Sequence, residues 1–233
     1  MSARVVAFVH AKGSSTRVPG KNLRVLGDRP LFCHAIAIAR GARHVDQVVI
    51  DSDCDAILAI GAEHGARALK RPAHLATNLA TGDNLACWQA SQAFGAEFVL
   101  QVVPTAPFLS PASVDRAVDM LRDHGVDSVV GCRREALYLW RDGRPGYFRE
   151  DGSIPNSFDM EPLTWETTGL YANRTAAVLR RGKRMNPDSC LPLILDPIEA
   201  IDINTPEDFA LAEALWRGLH GTRTAVPAAA APR

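Results

Sequence analysis

Val5-Val-Ala-Phe-Val-His-Ala-Lys-Gly-Ser-Ser-Thr-Arg-Val-Pro-Gly-Lys-Asn22 decides how the rest of the chain is read. The run Val5 to Val9 is apolar without alternation, the pattern of a strand buried on both faces. It opens into a loop of small residues, where the backbone can approach a ligand closely and leave amides free to cradle phosphate. Ser14, Ser15 and Thr16 add hydroxyl groups, and Lys12, Arg17 and Lys21 place three cations within ten residues. Charge of that kind suits a pyrophosphoryl leaving group, on which negative charge builds as the bond to the α-phosphate breaks. The loop is neither a Walker A sequence, GxxxxGK[ST], nor GxGxxG. Taken alone, it also fits a solvated basic loop.

Outward from this stretch, short Val- and Ile-rich runs alternate with amphipathic stretches of helical length. Val48 to Ile50, Phe98 to Val103 and Ser128 to Val130 read as strands; Leu31 to Arg40, Asp55 to Glu63, Asp83 to Phe94 and Ser113 to Arg122 read as helices. The β-α alternation predicts an α/β fold with a mostly parallel sheet and helices on both faces, a three-layer Rossmann-related arrangement. Pro111 opens one helix and Gly125 ends it, while Thr205 and Pro206 supply the N-cap and first turn of the last. In such sheets ligands sit beyond the carboxyl ends of the strands, near a switch in strand order.

The chain of 233 residues suffices for one large domain, expected over 1–220. About 135–166 breaks the pattern: Trp140, Tyr147, Phe148, Phe158 and Trp165 stand among Gly, Pro and Asp. That insert could pack on a partner subunit or fold back on its own domain. The tail 221–233 lacks a core pattern and is expected to be disordered. Formal net charge is zero, so no basic field draws nucleic acid or an anionic membrane. The five cysteines are odd in number, widely spaced and without a CxxC pair, which argues against a zinc or redox motif and for a reducing compartment. The N-terminal apolar run is too short for a signal peptide or membrane span, so the expected location is the cytoplasm.

A strand followed by this loop, then Leu23-x-x-Leu-Gly and Pro30-Leu opening a helix, resembles the acidic-sugar cytidylyltransferases, the CMP-sialic acid synthetase family. Ser15-Thr-Arg-Val-Pro-Gly-Lys21 is similar to the KDO branch, and Asn22 to the sialic acid branch. Four further stretches match in order: Ile50-Asp-Ser-Asp53, Lys70-Arg-Pro-Ala-His-Leu-Ala76 with Thr77 to Asp83, Leu100 to Leu109, and Trp165 to Tyr171; Glu199 to Asp208 completes the series. The resemblance implies a Mg²⁺-dependent enzyme condensing CTP with an acidic sugar, acting as a homodimer. By the same resemblance Lys12, Arg17 and Lys21 would be catalytic, and Ala11, Gly13, Ser14, Ser15, Asn22, Arg71, Ala80 and Thr81 would hold the nucleotide. Thr105, Thr168 and Tyr171 would border the acceptor, and Asp202 with Asn204 would bind the metal. Read from the residues alone, Arg71 could be a surface ion pair, His10 a structural histidine, and Asn204 and Thr205 helix caps.

The chain departs from the family pattern at several positions. Lys12 stands for Arg and loses the planar fork. Val103 stands for Gln and Leu109 for Arg, changes expected to remove hydrogen bonds from the acceptor pocket; Thr168 and Asn204 replace Asn and Asp. These departures leave two alternatives: another nucleotide or a sugar phosphate or phosphonate acceptor on the same fold, or a nucleotide-binding module without catalysis.

Overall fold

The computed structural model describes residues 4–93, 95–149 and 151–221. The expected disorder of the tail therefore falls, apart from Gly221, outside the described residues, as does Phe94 at the expected end of one helix. In chain order the elements are β1 (Val5–His10), β2 (Val25–Leu26), β3 (Arg29–Pro30), α1 (Leu31–Gly41), β4 (Gln47–Ser52), α2 (Asp55–Glu63), β5 (Arg67–Lys70) and α3 (Gly82–Ser91). There follow β6 (Phe98–Val102), α4 (Pro111–His124), β7 (Ser128–Glu135), β8 (Trp140–Arg141), β9 (Arg144–Pro145), β10 (Leu163–Arg174), α5 (Thr175–Arg181), β11 (Cys190–Ile194) and α6 (Pro206–His220).

Seven strands form one sheet in the order β11-β7-β10-β6-β1-β4-β5. All run the same way except β10, which pairs antiparallel with both β6 and β7. Alternate residues of β1 explain its continuous apolar sequence. Val5, Ala7 and Val9 join the core beneath α1, α2 and α4, whereas Val6 and Phe8 face Ala86 and Ala90 of α3 and Val178 of α5. Both faces are covered, as parallel sheets require.

Helix ends follow their residues. Ser110 caps α4 by accepting the Ser113 amide, Pro111 fills its first position, and Gly125 closes it at φ 65°. Thr205 caps α6 in a reciprocal capping box with Asp208. Two strands of the seven-stranded sheet, β5 and β11, were not expected from the sequence, nor was the short β2–β3 hairpin. β5 is four residues long with charges at both ends, and β11 carries Pro192; both are edge strands, where such residues are tolerated and strand pattern is weak.

The insert lies between β7 and β10, which extend out of the sheet as a long pair from Glu135 and Leu163. Part of it folds on itself: Tyr138 meets Tyr147 edge-on at 4.8 Å, and Tyr147 stacks on Phe148 at 5.2 Å. Trp140, Ile154 and Phe158 remain exposed. Among the described residues no helix is long and apolar enough to cross a membrane. All five cysteines are free.

Candidate active site

The strand order turns at β1, with β4 on one side and β6 on the other, so the crevice expected of such sheets opens past His10. The loop that fills it is held from beneath. The Ala11 amide donates to the Asp51 carbonyl at 3.0 Å, and the Gly13 amide to Asp53 Oδ1 at 2.9 Å. A side chain at Gly13 would meet Cys54 Cβ at 2.8 Å, so glycine lets the loop lie against the end of β4. Asn22 Nδ2 donates to the Lys12 carbonyl at 2.8 Å and closes the loop on itself.

A cleft of about 320 Å³ results, lined by His10, Lys12, Ser14, Ser15, Thr16, Arg17, Lys21, Asn22, Asn78, Val103, Pro104 and Thr105. The three cations expected from the sequence thus meet in one cleft, which Thr105 also lines. Asn78 was not singled out from the sequence, yet its Oδ1 accepts Lys12 Nζ at 2.9 Å and ties the loop to the segment after β5. It is a polar residue in a stretch of short polar side chains, with nothing local to mark it.

Lys21 is 8% exposed and its ammonium donates to the Ile203 carbonyl at 2.8 Å. Burial lowers its pKa, and Arg17 lowers it further, while Asp202 and Asp208 oppose the shift. The turn that Lys21 grips is also fixed by the Ile203 amide, which donates to the Thr105 carbonyl at 2.9 Å. Within it, Asp202 Oδ2 accepts the Thr168 hydroxyl at 3.0 Å and the Asn204 side-chain amide. Thr168 reaches that position from a left-handed conformation, φ 57°, in the bulge of β10 between Glu166 and Tyr171. Asp202 Oδ1 is buried without a partner. An unpartnered carboxylate oxygen beside a carboxamide is a hard-oxygen donor set that fits Mg²⁺. Asn204 does not cap α6 with its side chain; its backbone amide and that of Thr205 both donate to Asp208 at 2.8 Å, holding the Asp208 carboxyl below the usual range.

Several expected site residues stand elsewhere. The Arg71 side chain is 2% exposed and paired with Asp51, its Nε donating to Oδ1 at 2.6 Å. Gln89 donates to the other oxygen of Asp51 at 2.6 Å and accepts from Gln101 at 2.7 Å, completing a buried polar network. Burial pushes the Asp51 carboxyl up, and Arg71 and Gln89 pull it back. Arg71 is therefore neither a surface pair nor a cation open to the cleft. Ala11 is wholly buried in the core under the loop. Leu109 also packs in that core, which corrects the expectation that its position borders the acceptor pocket. Tyr171 is 2% exposed, its hydroxyl donating to Glu166 at 3.0 Å, so its phenol does not face the cleft. Thr81 caps α3 through a box with Asn84, and Ala80 lines a separate hollow of about 570 Å³ with His74, Leu75 and Trp88. His10 lines the cleft with its Nδ1 unpartnered, and burial, then Arg71 and Arg184, push its pKa down to about 3.

Comparison with known proteins gives the same direction. Residues 6–138 match the family model described as Cytidylyltransferase. The CMP-N,N'-diacetyllegionaminic acid synthase of Legionella pneumophila is 29% identical over 91% of this chain and 96% of that protein. A 3-deoxy-manno-octulosonate cytidylyltransferase of Geobacter sulfurreducens is 29% identical, over 85% and 87% of the two chains. Among solved structures, CMP:2-keto-3-deoxy-manno-octonic acid synthetase complexed with CTP shares the fold, with a TM-score of 0.68 at 16% identity over 93% of this chain and all of that one. With the family match spanning more than half of its length and the crevice built on the matching loop, the chain belongs to the cytidylyltransferase family.

Proposed function

We propose that the protein transfers the cytidylyl group of CTP to the anomeric hydroxyl of an acidic 2-keto sugar, releasing pyrophosphate. The observation that carries this reading is one cleft lined by Lys12, Arg17, Lys21 and Thr105, with Lys21 gripping the Asp202 turn. The named relatives support the acceptor class, since legionaminic acid and 3-deoxy-manno-octulosonate are both sugar acids.

In the reaction, the hydroxyl oxygen attacks the α-phosphorus, the bond to the bridging β-phosphate oxygen breaks, and pyrophosphate leaves with the electron pair. The hydroxyl proton passes to solvent; burial and the nearby Arg71 and Arg184 disfavour a protonated His10. The chain's own contribution is positioning and charge. Ser14, Ser15 and the free loop amides orient the phosphates, and the three cations stabilise charge on the leaving group. Asp202 Oδ1 and Asn204 Oδ1 would hold Mg²⁺, which supplies Lewis-acid polarisation of phosphate oxygens when bound. Among the described residues no three His, Cys, Asp or Glu side chains cluster, so most of the metal's ligands would be phosphate and water oxygens.

The same reading includes a homodimer joined through the insert, whose Trp140, Ile154 and Phe158 are exposed at 63%, 61% and 82%. Its setting is the cytoplasm, where five free thiols persist. The test is product identity. CTP, Mg²⁺ and an acidic sugar should yield a species with the mass of a CMP-sugar and a single phosphodiester phosphorus resonance. Pyrophosphate release with CMP or a cytidylylated sugar phosphate as the product would contradict the acceptor assignment.

A further inference from the structure

Arg184 follows α5, past the left-handed Gly182, and its backbone is anchored rather than its side chain. The Arg184 amide donates to Asp83 Oδ1 at 2.8 Å, and Lys183 pairs with the other oxygen of Asp83 at 3.2 Å. Asp83 is thereby committed, and the guanidinium has no carboxylate partner among the described residues. It lies instead over the Tyr171 ring, its Cζ 3.8 Å from the centroid. The ring is a fixed platform, because Tyr171 is buried and its hydroxyl is bound to Glu166. On its other flank the guanidinium presses on the first turn of α3: a side chain at Gly82 would come within 2.8 Å of Arg184 Nη1.

This placement is unfavourable for an isolated cation. The peptide dipoles at a helix N-terminus repel positive charge and favour an anion. Tyr171 shares an apolar cluster with Val103, which lines the cleft, so the guanidinium on its ring stands close to the crevice. A planar fork, held by stacking and left without an internal partner, is complementary to a carboxylate, which it can bind through two parallel hydrogen bonds. The phosphates of CTP have their own cations in the loop after β1. The remaining anionic group of the proposed reaction is the carboxylate of the acceptor.

We infer that Arg184 is a specificity-determining residue whose guanidinium, held on the Tyr171 ring beside Gly82, binds the carboxylate of the acceptor sugar. The inference rests on the acidic-sugar reading above. It explains why Tyr171 is buried in this chain and still bears on the acceptor: it orients Arg184 and does not touch the sugar.

The experiment uses the full-length protein with CTP and the acidic sugar that gives the fastest pyrophosphate release, alongside the carboxamide of that sugar. Arg184→Gln should raise the acceptor KM by about tenfold or more, the scale of a lost charge-assisted hydrogen bond. The KM for CTP should stay within about twofold of wild type, since the loop cations are untouched, and the preference for acid over carboxamide should shrink by a like factor. Arg184→Lys should fall between, keeping charge without the fork. An unchanged acceptor KM, an equal rise in both KM values, or an undiminished preference for the acid would overturn the assignment. If melting curves report that Arg184→Gln is unfolded, Arg184→Lys decides by the same readouts. Wild-type turnover confined to sugars without a carboxylate would instead overturn the acceptor reading on which the inference rests.

Discussion

Two cation–carboxylate neighbourhoods flank β1, and they are built oppositely. On the β4 side, Arg71 and Asp51 are buried together and finished by Gln89 and Gln101. On the side facing β10, Lys21 approaches the Asp202 turn but donates to a backbone carbonyl, and one Asp202 oxygen has no partner. The first neighbourhood satisfies its charges internally and holds the sheet's end together. The second leaves capacity over, beside the cleft that Lys21 shares with Lys12 and Arg17. Binding capacity resides in the incompletely satisfied pair, and the chemistry of the residue types alone does not tell the two apart.

The sharpest way to break this contrast is to remove a member of the closed pair. Arg71→Ala strands a buried carboxylate and should cost about 3–5 kcal/mol of stability, seen in chemical denaturation. Unchanged stability with a large loss of CTP affinity would return Arg71 to the nucleotide site. On the open side the effects should appear in turnover and leave the fold intact. Asp202→Ala should lower kcat about a hundredfold, or ~2.7 kcal/mol of transition-state stabilisation, and raise the Mg²⁺ concentration for half-maximal rate. An unaltered Mg²⁺ requirement would detach Asp202 from metal binding.

Lys21→Ala should reduce turnover at least about tenfold, or ~1.4 kcal/mol, without a change in melting cooperativity. Its titration offers a second check. Because burial lowers the Lys21 pKa, the ammonium is lost at lower pH than in an ordinary lysine. The alkaline limb of kcat/KM should therefore lie below about 10.4, the unperturbed lysine value, and a limb at or above that value would remove Lys21 from the essential charges. The smallest effect belongs to the cap that supports the open side from behind: Thr205→Ala should cost about 1 kcal/mol of stability with little change in turnover.

The same contrast marks what could be read from the chain. β1 and its loop are legible because the relevant signals are local: an unbroken apolar run, small residues, and cations at short spacing. The caps at Ser110, Thr205 and Gly125 are legible for the same reason. The burial of Arg71 was not legible because its partner, Asp51, is twenty positions away, on β4. Tyr171 was expected at the acceptor by resemblance alone, and the bond from its hydroxyl to Glu166 across the bulge of β10 had no local signal. Leu109 is simpler: its apolar side chain packs in the core, and only its alignment with a polar family position suggested otherwise. Arg184 carried no signal at all, since its role depends on Tyr171, Gly82 and Asp83, none of them near it in sequence.

The most direct test of the account is pyrophosphate release measured for the wild type and Lys21→Ala over CTP, GTP, ATP and UTP. Each nucleotide is paired with acidic sugars and with sugar 1-phosphates in the presence of Mg²⁺. The account predicts release from the wild type with CTP and an acidic sugar, reduced at least about tenfold by the substitution. Release with another nucleotide or only with a sugar phosphate, or equal rates from the two proteins, would contradict it.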